Sequence, residues 1–595
     1  MRGLCGVVVG FCMLGCGGTK PAVLPKPVGA ADGHRVLAPL SRVTLPSSGG
    51  SAPAGLEALS QEIARAKQAL LARGELAPYF IAQELWDEDE LHIQTGWGAH
   101  YNTTRQRSRY LTTDVRVGRY ELDSTHPLAR KGFDFDFNFG WPESAPLTDG
   151  DTTALRQVSW QQIDAAYRKA SERFLKVKAQ SHVNVEIEDR TGDFSREAPV
   201  VFVGTPVPEL QADAEEWKAR LKRWSARFKG HSDIYDSGVG FQASSTTRWI
   251  VNSEGTRVQT GEAHYRVTIS AATRAEDGMS LTRYESFDAS KPDRLPPESQ
   301  VIQTIDQVIS DVEALRRSPL AEPYVGPALL LGRAAGVFMH ETLGHRAEGD
   351  RQKDDEEGQT FAKKLGKEVL PTFLSVYDDP TAERLLDTDL NGLYLFDDEG
   401  AKARRANIIE EGVFREFLRS RVPVRGVAES NGHGRRSAGR AVEARQGNLI
   451  VQPLRSIPIM ALRQQLIQEA RAQKKAYALL FKDIQGGYTQ TSRASTQGFK
   501  VMPVLVYRVW TDGRPDELIR GVDIIGTPLT ALSSITAAGD DYATFNGYCG
   551  SDSGWVPVSA VSPSLLFGRI EVGLREKGRD KPPVLPPPAG TENKP

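Results

Sequence analysis

Two histidines and a glutamate, His340, Glu341 and His345, form the strongest chemical pattern in the sequence. Imidazole and carboxylate groups this close together can bind zinc and activate water for hydrolysis. In the common HExxH motif the histidines lie four residues apart and meet the metal from one face of a helix. Here they lie five apart, about 140° around a regular helix, so both reach one ion only if the helix ends or bulges between them. Gly344 precedes His345 and tolerates such a distortion.

A catalytic zinc site needs a third protein ligand, because catalytic zinc usually has three and keeps one position for water. The downstream acids are candidates, although a solvated loop explains their charges equally well; they are Glu348, Asp350, Asp354 and Asp355. Cys549 is another candidate, since it lies among small residues in the sequence NGYCG (546–550) and a thiolate binds zinc strongly. The residues alone leave these alternatives open.

Other short motifs accompany the histidine pair along the chain. They are YVGPALL (324–330), FDDEG (396–400), SNGHGR (430–435), RGV and IG (520–526), CG (549–550) and VPV (556–558). In this order, and with HETLGHRAEGD (340–350), they resemble the TldD/PmbA metallopeptidase family. The likeness is specific over about 320–575 and looser over about 75–275, where VNSEG (251–255) is the best local match.

The resemblance implies that His340, His345 and Cys549 are the zinc ligands and that Glu341 is the catalytic base. It implies the TldD-like branch of the family, because the PmbA-like partners lack HExxxH. It also implies a two-domain α+β architecture, with an N-terminal domain of mixed helices and antiparallel sheet and a strand-rich C-terminal metallopeptidase domain. A dimer is implied as well, either a homodimer or a heterodimer with a PmbA-like subunit, enclosing its sites in a shared cavity.

The sequence therefore predicts a zinc-dependent metallopeptidase that cleaves unfolded or short peptides, with Glu341 activating a zinc-bound water. The oxyanion needs a donor, and His433, Arg435 and Tyr548 are candidates for that role or for substrate binding. Extended peptides often bind by strand addition, for which 499–510 is a candidate edge. The alternative is a non-catalytic envelope protein that binds peptides or assists assembly and keeps a structural zinc. A glutamate beside the ligands favours the enzyme, since structural zinc usually has four protein ligands.

The elements that must position these residues follow from hydrophobic periodicity. Apolar residues at helical spacing predict helices over 56–70, 160–174, 217–228 and 301–315, with their aromatic residues in the core. Alternation predicts strands at 111–117 and 265–271, and a hairpin turn at 252–255. A strand at 328–331 and a helix from 333 to 339 lead into the histidine motif.

Composition shifts along the chain predict its domain organisation. We expect a signal peptide at 1–15, a lipid-anchored flexible tether at 16–55, an N-terminal α+β domain at 56–295, a C-terminal metallopeptidase domain at 296–577 and a Pro-rich tail at 578–595. The short basic and apolar start is typical of a secretory signal. The MLGC sequence that ends at Cys16 resembles a bacterial lipobox, whose cysteine is acylated; a plain signal peptide is the alternative. We expect an exported lipoprotein of the bacterial cell envelope, held to the membrane by this anchor only.

The cysteine count and the net charge limit the possible thiol ligands and the possible partners of the protein. Cys5 and Cys12 would leave with the signal peptide and Cys16 would carry lipid, so Cys549 would be the single thiol of the folded body. With 74 Lys and Arg against 76 Asp and Glu, the net charge is only -2. With almost no net charge, the protein has no overall positive electrostatic field to attract nucleic acid, so we expect no nucleic-acid partner.

Overall fold

The structure is a computed structural model, and it describes residues 38–44, 48, 52–128, 143–146, 152–181, 191–204, 209–353, 357, 360–424, 426–492, 498–576, 583 and 585. The expected signal peptide, Cys16, Asp354 and Asp355 lie outside the described residues, as does nearly all of the expected tail. Among the described helices, none combines the length and the apolar character needed to cross a membrane.

Seven α-helices lie in the described part of the chain. They are α1 (Ala54–Leu70), α2 (Thr152–Ser181), α3 (Ala214–Ser225), α4 (Glu298–Arg317), α5 (Gly332–Thr342), α6 (Ile459–Ala472) and α7 (Pro528–Ser533). The helices predicted from periodicity are α1 to α4, although α3 ends at Ser225 and Phe228 lies in the 3-10 turn that follows. Asp213 starts α3, because its side chain accepts hydrogen bonds from the backbone amides of Glu215 and Glu216.

The same residues contain 26 strands. They are β1 (Leu40–Arg42), β2 (Pro78–Gly96), β3 (Ala99–Arg119), β4 (Leu122–Asp123), β5 (Glu143–Ser144), β6 (Val201–Val203), β7 (Asp236–Asn252), β8 (Arg257–Arg274), β9 (Ser280–Ala289), β10 (Tyr324–Leu330), β11 (Leu374–Asp378), β12 (Ala382–Leu385), β13 (Thr388–Asp389), β14 (Ala406–Glu410), β15 (Val413–Phe414), β16 (Gly434–Arg435), β17 (Glu443–Ala444), β18 (Asn448–Pro453), β19 (Tyr477–Thr489), β20 (Phe499–Trp510), β21 (Glu517–Ile519), β22 (Val522–Gly526), β23 (Ile535–Ala538), β24 (Ala543–Ser551), β25 (Gly554–Ser562) and β26 (Leu565–Leu574). The chain is therefore strand-rich and of the α+β class, as the sequence predicted.

An eight-stranded sheet forms the N-terminal region, with the order β4-β3-β2-β7-β8-β6, β5 added to β3 and β9 added to β8. Because side chains alternate along a strand, odd-numbered residues such as Leu91, Phe241 and Val267 share one face. Helices α1 to α4 cover that face and build two hydrophobic cores on it. Because α4 packs on this sheet, it belongs with the N-terminal region and not with the C-terminal domain that was predicted to begin at 296. Trp160 of α2 is 44% exposed, so its predicted place in the core is wrong; Ser159 points inward instead and donates to Gln83.

Buried ion pairs join the other face of this sheet to the C-terminal region. Arg248 of β7 contacts both Glu84 of β2 and Asp398, and Arg436 contacts Glu84 as well. All four side chains are buried. Removing one member would leave a charge buried without its partner, which is strongly destabilising. These pairs therefore fix the N-terminal sheet against the loops that carry FDDEG and SNGHGR.

Two further sheets form the C-terminal region. In one, β10, β19, β20, β22 and β26 pair in succession, and β26 pairs with β10 again, so these five strands close on themselves. The other has the order β15-β14-β11-β18-β25-β24. Helix α5 packs between the two, with Phe338 in edge contact with Phe499 and Phe567 at ring distances of 5.4 and 5.0 Å. Gly336 permits the close approach to β25, because a Cβ there would lie 2.8 Å from the Ala560 carbonyl oxygen.

Strand β1 corrects the prediction that 16–55 is a tether throughout. Leu40 pairs with Leu385 of β12, and Arg42 Nε lies 2.7 Å from Asp379 Oδ2. These contacts order a short segment. Composition did not predict it, because the residues around it are rich in Pro and Ser. The tether prediction is therefore wrong for β1 and for the start of α1 at Ala54.

Strand β20 corrects the prediction that 499–510 offers a free edge. On one side it pairs with β19 along its whole length, from Phe499 to Trp510. On its other side, β22 pairs with Phe499–Val501 and β21 pairs with Val506–Arg508. An added peptide strand would have to displace them.

Candidate metal centre

Helix α5 carries two of the predicted site residues, His340 and Glu341. It begins directly after β10, which is held between β19 and β26. It ends at Thr342, whose hydroxyl donates to the Phe338 carbonyl at 2.7 Å. A 3-10 turn at Gly344–Arg346 then takes the chain off the helical path. This is the helix end that the five-residue histidine spacing requires.

Gly344 is required in this turn for steric reasons. A Cβ at this position would lie 1.8 Å from Gln446 Oε1. Gln446 is fully buried, and neither polar atom of its side chain has a hydrogen-bond partner among the described residues. Gly344 is not in the left-handed region, so the requirement comes from crowding and not from backbone strain.

The structure brings His340, His345 and Cys549 together in the interior. One ligand atom from each lies within 4.8 Å of the others. The Cys549 Sγ atom is 3.4 Å from His345 Nε2, and the two imidazole rings are 5.0 Å apart at an angle of 80°. All three side chains are buried. The histidines come from α5 and its 3-10 turn, whereas Cys549 comes from β24.

Glu341 lies beside these three side chains. Its Oε2 atom is 3.9 Å from His345 Nε2 and is buried without a hydrogen-bond partner in the described part of the chain. Gly487 of β19 packs against it, because a Cβ there would lie 2.8 Å from Glu341 Cγ. A buried carboxylate oxygen without a partner is costly unless it binds something. Two imidazoles, one thiol and this oxygen fit a zinc ion with three protein ligands and room for water.

The pKa values of these buried groups are shifted by burial and by their mutual contacts. Burial raises the pKa of the Cys549 thiol, but His345 and His340 outweigh burial and hold that pKa well below its ordinary value. Burial lowers the pKa of His345, but Cys549 and Glu348 outweigh it and raise that pKa. Burial raises the pKa of Glu341, and the two histidines offset this only in part. The thiol therefore ionises readily, as a metal ligand must.

Glu348 and Asp350, which the sequence offered as possible third ligands, have other contacts. Glu348 accepts at 3.2 Å from His345 Nδ1, the ring nitrogen that faces away from Cys549. Asp350 accepts from the Ser420 hydroxyl and from the Ala444 amide. Glu348 thus supports a candidate ligand, and Asp350 joins neighbouring loops.

His433 and Arg435 are held by contacts within the fold. His433 is fully buried, with Nδ1 2.9 Å from Asn431 Oδ1 and Nε2 3.3 Å from Asp378 Oδ1. Arg435 donates to the carbonyl oxygens of Gln446 and Pro557. These contacts tie loops of the C-terminal region together.

Tyr548 points away from the thiol of its neighbour Cys549. Adjacent residues of a strand face opposite sides, and Tyr548 is 41% exposed whereas Cys549 is 4% exposed. The Arg266 guanidinium lies over the Tyr548 ring, 5.0 Å from its centre. Since Arg266 is on β8, Tyr548 faces the N-terminal sheet.

Sequence reasoning missed Arg445, Gln446 and Gly487. Arg445 is fully buried and donates to the Cys549 carbonyl oxygen at 2.6 Å. Neither Arg445 nor Gln446 stands in a periodic pattern or a metal-ligand spacing that would mark it. For Gly487 a signal exists, the Gly-Gly pair at 486–487 inside a strand, since such a glycine often marks a close backbone approach.

The chain is similar to known proteins over the region that carries these residues. Residues 324–574 match the model of the PmbA/TldA metallopeptidase C-terminal domain. A metalloprotease of Methanocaldococcus jannaschii is 28% identical over 225 residues, which are 38% of this chain and 45% of that protein. A zinc metalloprotease TldD homolog of Saccharolobus solfataricus is 26% identical over 263 residues, 43% of this chain and 53% of that protein. The chain thus spans about half the length of the curated relatives it matches.

A solved structure extends the likeness to most of the chain. The structure of TldE from Thermococcus kodakarensis covers 85% of this chain and 100% of that protein, with a TM-score of 0.51 and 12% identity. At this identity the likeness concerns the fold alone. It includes the N-terminal sheet as well as the region that holds the candidate site.

Proposed function

We propose, from the premise that this chain belongs to the TldD/PmbA metallopeptidase family, that it is a zinc-dependent peptidase acting on unfolded or short peptides. One observation carries the proposal. His340, His345 and Cys549 converge within 4.8 Å, and the unpaired Glu341 oxygen lies beside them. This combination provides three zinc ligands and a base in one buried site.

Each side chain has a definite role in this mechanism. His340, His345 and Cys549 would hold the zinc ion, which supplies the Lewis acidity that polarises a peptide carbonyl and makes water more acidic. Glu341 takes the proton from the attacking water and returns it to the leaving amine. Burial, which raises the pKa of Glu341, makes this carboxylate a stronger base than an exposed one.

A peptide backbone would lie along the second half of β19. This strand pairs with β10 through Leu479–Phe481. From Asp483 to Thr489, β20 is the only strand of the described residues that pairs with it. Gly487 belongs to this half and touches Glu341. Backbone hydrogen bonds along a strand edge bind extended peptides with little sequence preference, which suits a peptidase of unfolded substrates.

The alternative function is a non-catalytic envelope protein that binds peptides or assists assembly around a structural zinc. A structural site usually closes with four protein ligands. The described residues bring together three candidate ligands, and among these residues the adjacent Glu341 Oε2 atom has no hydrogen-bond partner. Both observations favour the enzyme.

We also propose that the protein works as a dimer, either of two copies or with a PmbA-like subunit, on the family premise alone. A shared cavity would admit unstructured chains and exclude folded ones. Light scattering on the active preparation tests the proposed dimer separately, and a monomer with full activity would contradict it.

The test of the proposed function measures zinc content and peptide cleavage on one preparation. A mixture of unstructured peptides is digested and analysed by mass spectrometry, with a folded protein as the control substrate. We expect cleavage of the peptides, its loss with a chelator and its return with zinc. A preparation with one zinc per chain that cleaves no peptide would support the alternative function.

A further inference from the structure

We propose that Glu348 is a positioning residue that sets which ring nitrogen of His345 faces the metal, and that Arg445 ties the Cys549 strand to the same carboxylate. This inference rests on the metal site of the proposed function. It concerns two residues that lie outside the candidate ligand set of His340, His345 and Cys549.

The His345 ring has a defined orientation in the site. Its Nδ1 atom lies 3.2 Å from Glu348 Oε2, and its Nε2 atom lies 3.4 Å from Cys549 Sγ. A carboxylate only accepts hydrogen bonds, so Nδ1 carries the proton and donates it. The lone pair of the neutral ring is then on Nε2, the nitrogen on the Cys549 side.

Glu348 is itself held in place by neighbouring side chains. Its side chain is 1% exposed. Arg351 Nε donates to Glu348 Oε2 at 2.9 Å, and Arg445 Nε lies 3.6 Å from Glu348 Oε1. Arg351 and His345 both contact Oε2 and Arg445 lies near Oε1, so this carboxylate has little freedom to turn away from the imidazole.

Arg445 links the Glu348 carboxylate to the backbone of Cys549. Arg445 is fully buried and donates from Nη2 to the Cys549 carbonyl oxygen at 2.6 Å. Its Nη1 donates to Ser553 Oγ, also at 2.6 Å. The chain of contacts His345, Glu348, Arg445 and Cys549 therefore joins two candidate ligands through protein atoms only. Groups that orient a metal ligand in this way are usually worth about 10- to 100-fold in metal affinity.

A purely structural role for Glu348 is the competing explanation. In that case the carboxylate would only balance the charges of Arg351 and Arg445. Its loss would then lower the stability of the fold but leave the zinc affinity of the folded protein unchanged. Zinc affinity and the spectrum of the bound metal therefore separate the two explanations.

The test compares Glu348→Gln with Glu357→Gln as the matched control. Both variants remove a carboxylate that contacts Arg351, since Glu357 Oε2 lies 3.3 Å from Arg351 Nη1; Glu348 alone also contacts a candidate ligand. The zinc dissociation constant is measured by competition with a chelator, and the cobalt-substituted proteins are compared by absorption spectroscopy. We expect zinc to bind about 10- to 100-fold more weakly to Glu348→Gln, with shifted cobalt bands, and the control to behave like the wild type.

Zinc affinity and cobalt bands like those of the wild type in folded Glu348→Gln would overturn the proposal. If this variant does not fold, Glu348→Asp takes its place in the zinc and cobalt measurements. Its shorter side chain keeps the charge but moves it away from His345 Nδ1. Wild-type protein that binds zinc but cleaves no peptide would overturn the peptidase function and leave this inference standing. Wild-type protein that binds no zinc would overturn both.

Discussion

The Sγ atom of Cys549 lies 3.4 Å from Nε2 of His345, although 204 residues separate the two in the chain. His340 contributes the third donor atom within 4.8 Å. The site therefore depends on the packing of β24 against α5 and the turn that follows it.

Zinc should protect the Cys549 thiol from alkylation. His345 and His340 lower its pKa against the effect of burial, so without metal the thiol is held as the reactive thiolate, which a small alkylating reagent that enters the buried site can reach. We expect chelation to raise the alkylation rate at least about tenfold, and added zinc to restore protection. Mass spectrometry of the peptide that contains Cys549 measures the rate, with denatured protein as the upper limit. Equal rates with and without bound zinc would show that the third ligand lies elsewhere.

The Glu341→Gln variant should lose peptide cleavage and keep its zinc. The amide preserves the size of the side chain but cannot take a proton, so we expect turnover to fall about 10²- to 10⁴-fold. Initial rates with an unstructured peptide and metal analysis of the same sample make the measurement. Turnover like that of the wild type would rule out Glu341 as the base.

The Gly344→Ala variant should destabilise the turn that carries His345. The new methyl group would meet Gln446 Oε1 at 1.8 Å, and such overpacking usually costs about 1–3 kcal/mol. Adding Gln446→Ala should recover much of this loss, because it removes the obstructing group. Gly55→Ala is the control, since its Cβ would meet Leu155 at an ordinary 3.7 Å. Denaturant unfolding measures all four proteins, and the absence of rescue would show that the constraint is not Gln446.

How much of this could be predicted from the sequence depends on how local each feature is. The interruption of α5 was predictable, since two histidines five residues apart cannot share a metal on a regular helix. The four N-terminal helices were predictable from their periodicity. Cys549 was one of several candidate ligands on the residues alone, and only the family resemblance singled it out, because no local spacing links it to His345.

The rest required contacts between distant segments. Glu348 was visible as an acid near the motif, but the nitrogen it faces depends on how the 3-10 turn rotates His345. Arg445 had no signal, since its role arises from contact with the Cys549 backbone more than 100 residues away. The position of β20 inside its sheet was not predicted, because the alternation of polar and apolar residues in one strand does not reveal which strands pair with it.

Stability should fall as pH rises from about 4 to about 7 in part because of Asp350. Burial, the largest effect, raises the pKa of Asp350 from 3.8 to about 7, and Glu399 and Glu443 act in the same direction. The folded state therefore keeps a proton that the unfolded state releases, and each unit of raised pKa costs about 1.4 kcal/mol once Asp350 ionises. Asp350→Asn should reduce the loss of unfolding free energy between pH 5 and pH 8. An unchanged pH dependence in this variant would contradict the assignment.

Cys16→Ser should release the protein from membranes or block its maturation. Cys16 lies outside the described residues, and the prediction comes from the MLGC sequence that it ends. A thioether-linked lipid and an acylated amino terminus would supply the two hydrophobic anchors that stable attachment needs. Cys12→Ser is the control, because Cys12 would be removed with the signal peptide. Membrane fractionation gives the result, and an unmodified Cys16 in the mature protein would disprove the anchor.

The position of β10 bears on how the protein is made. This strand pairs with β19 on one edge and β26 on the other, and α5 begins directly after it. Both neighbours are synthesised later, and β26 ends at Leu574, beyond Cys549. A growing chain therefore carries the histidine motif long before the strands that seat α5 exist. On the proposed function, proteolytic activity can begin only after the chain has been synthesised beyond β26.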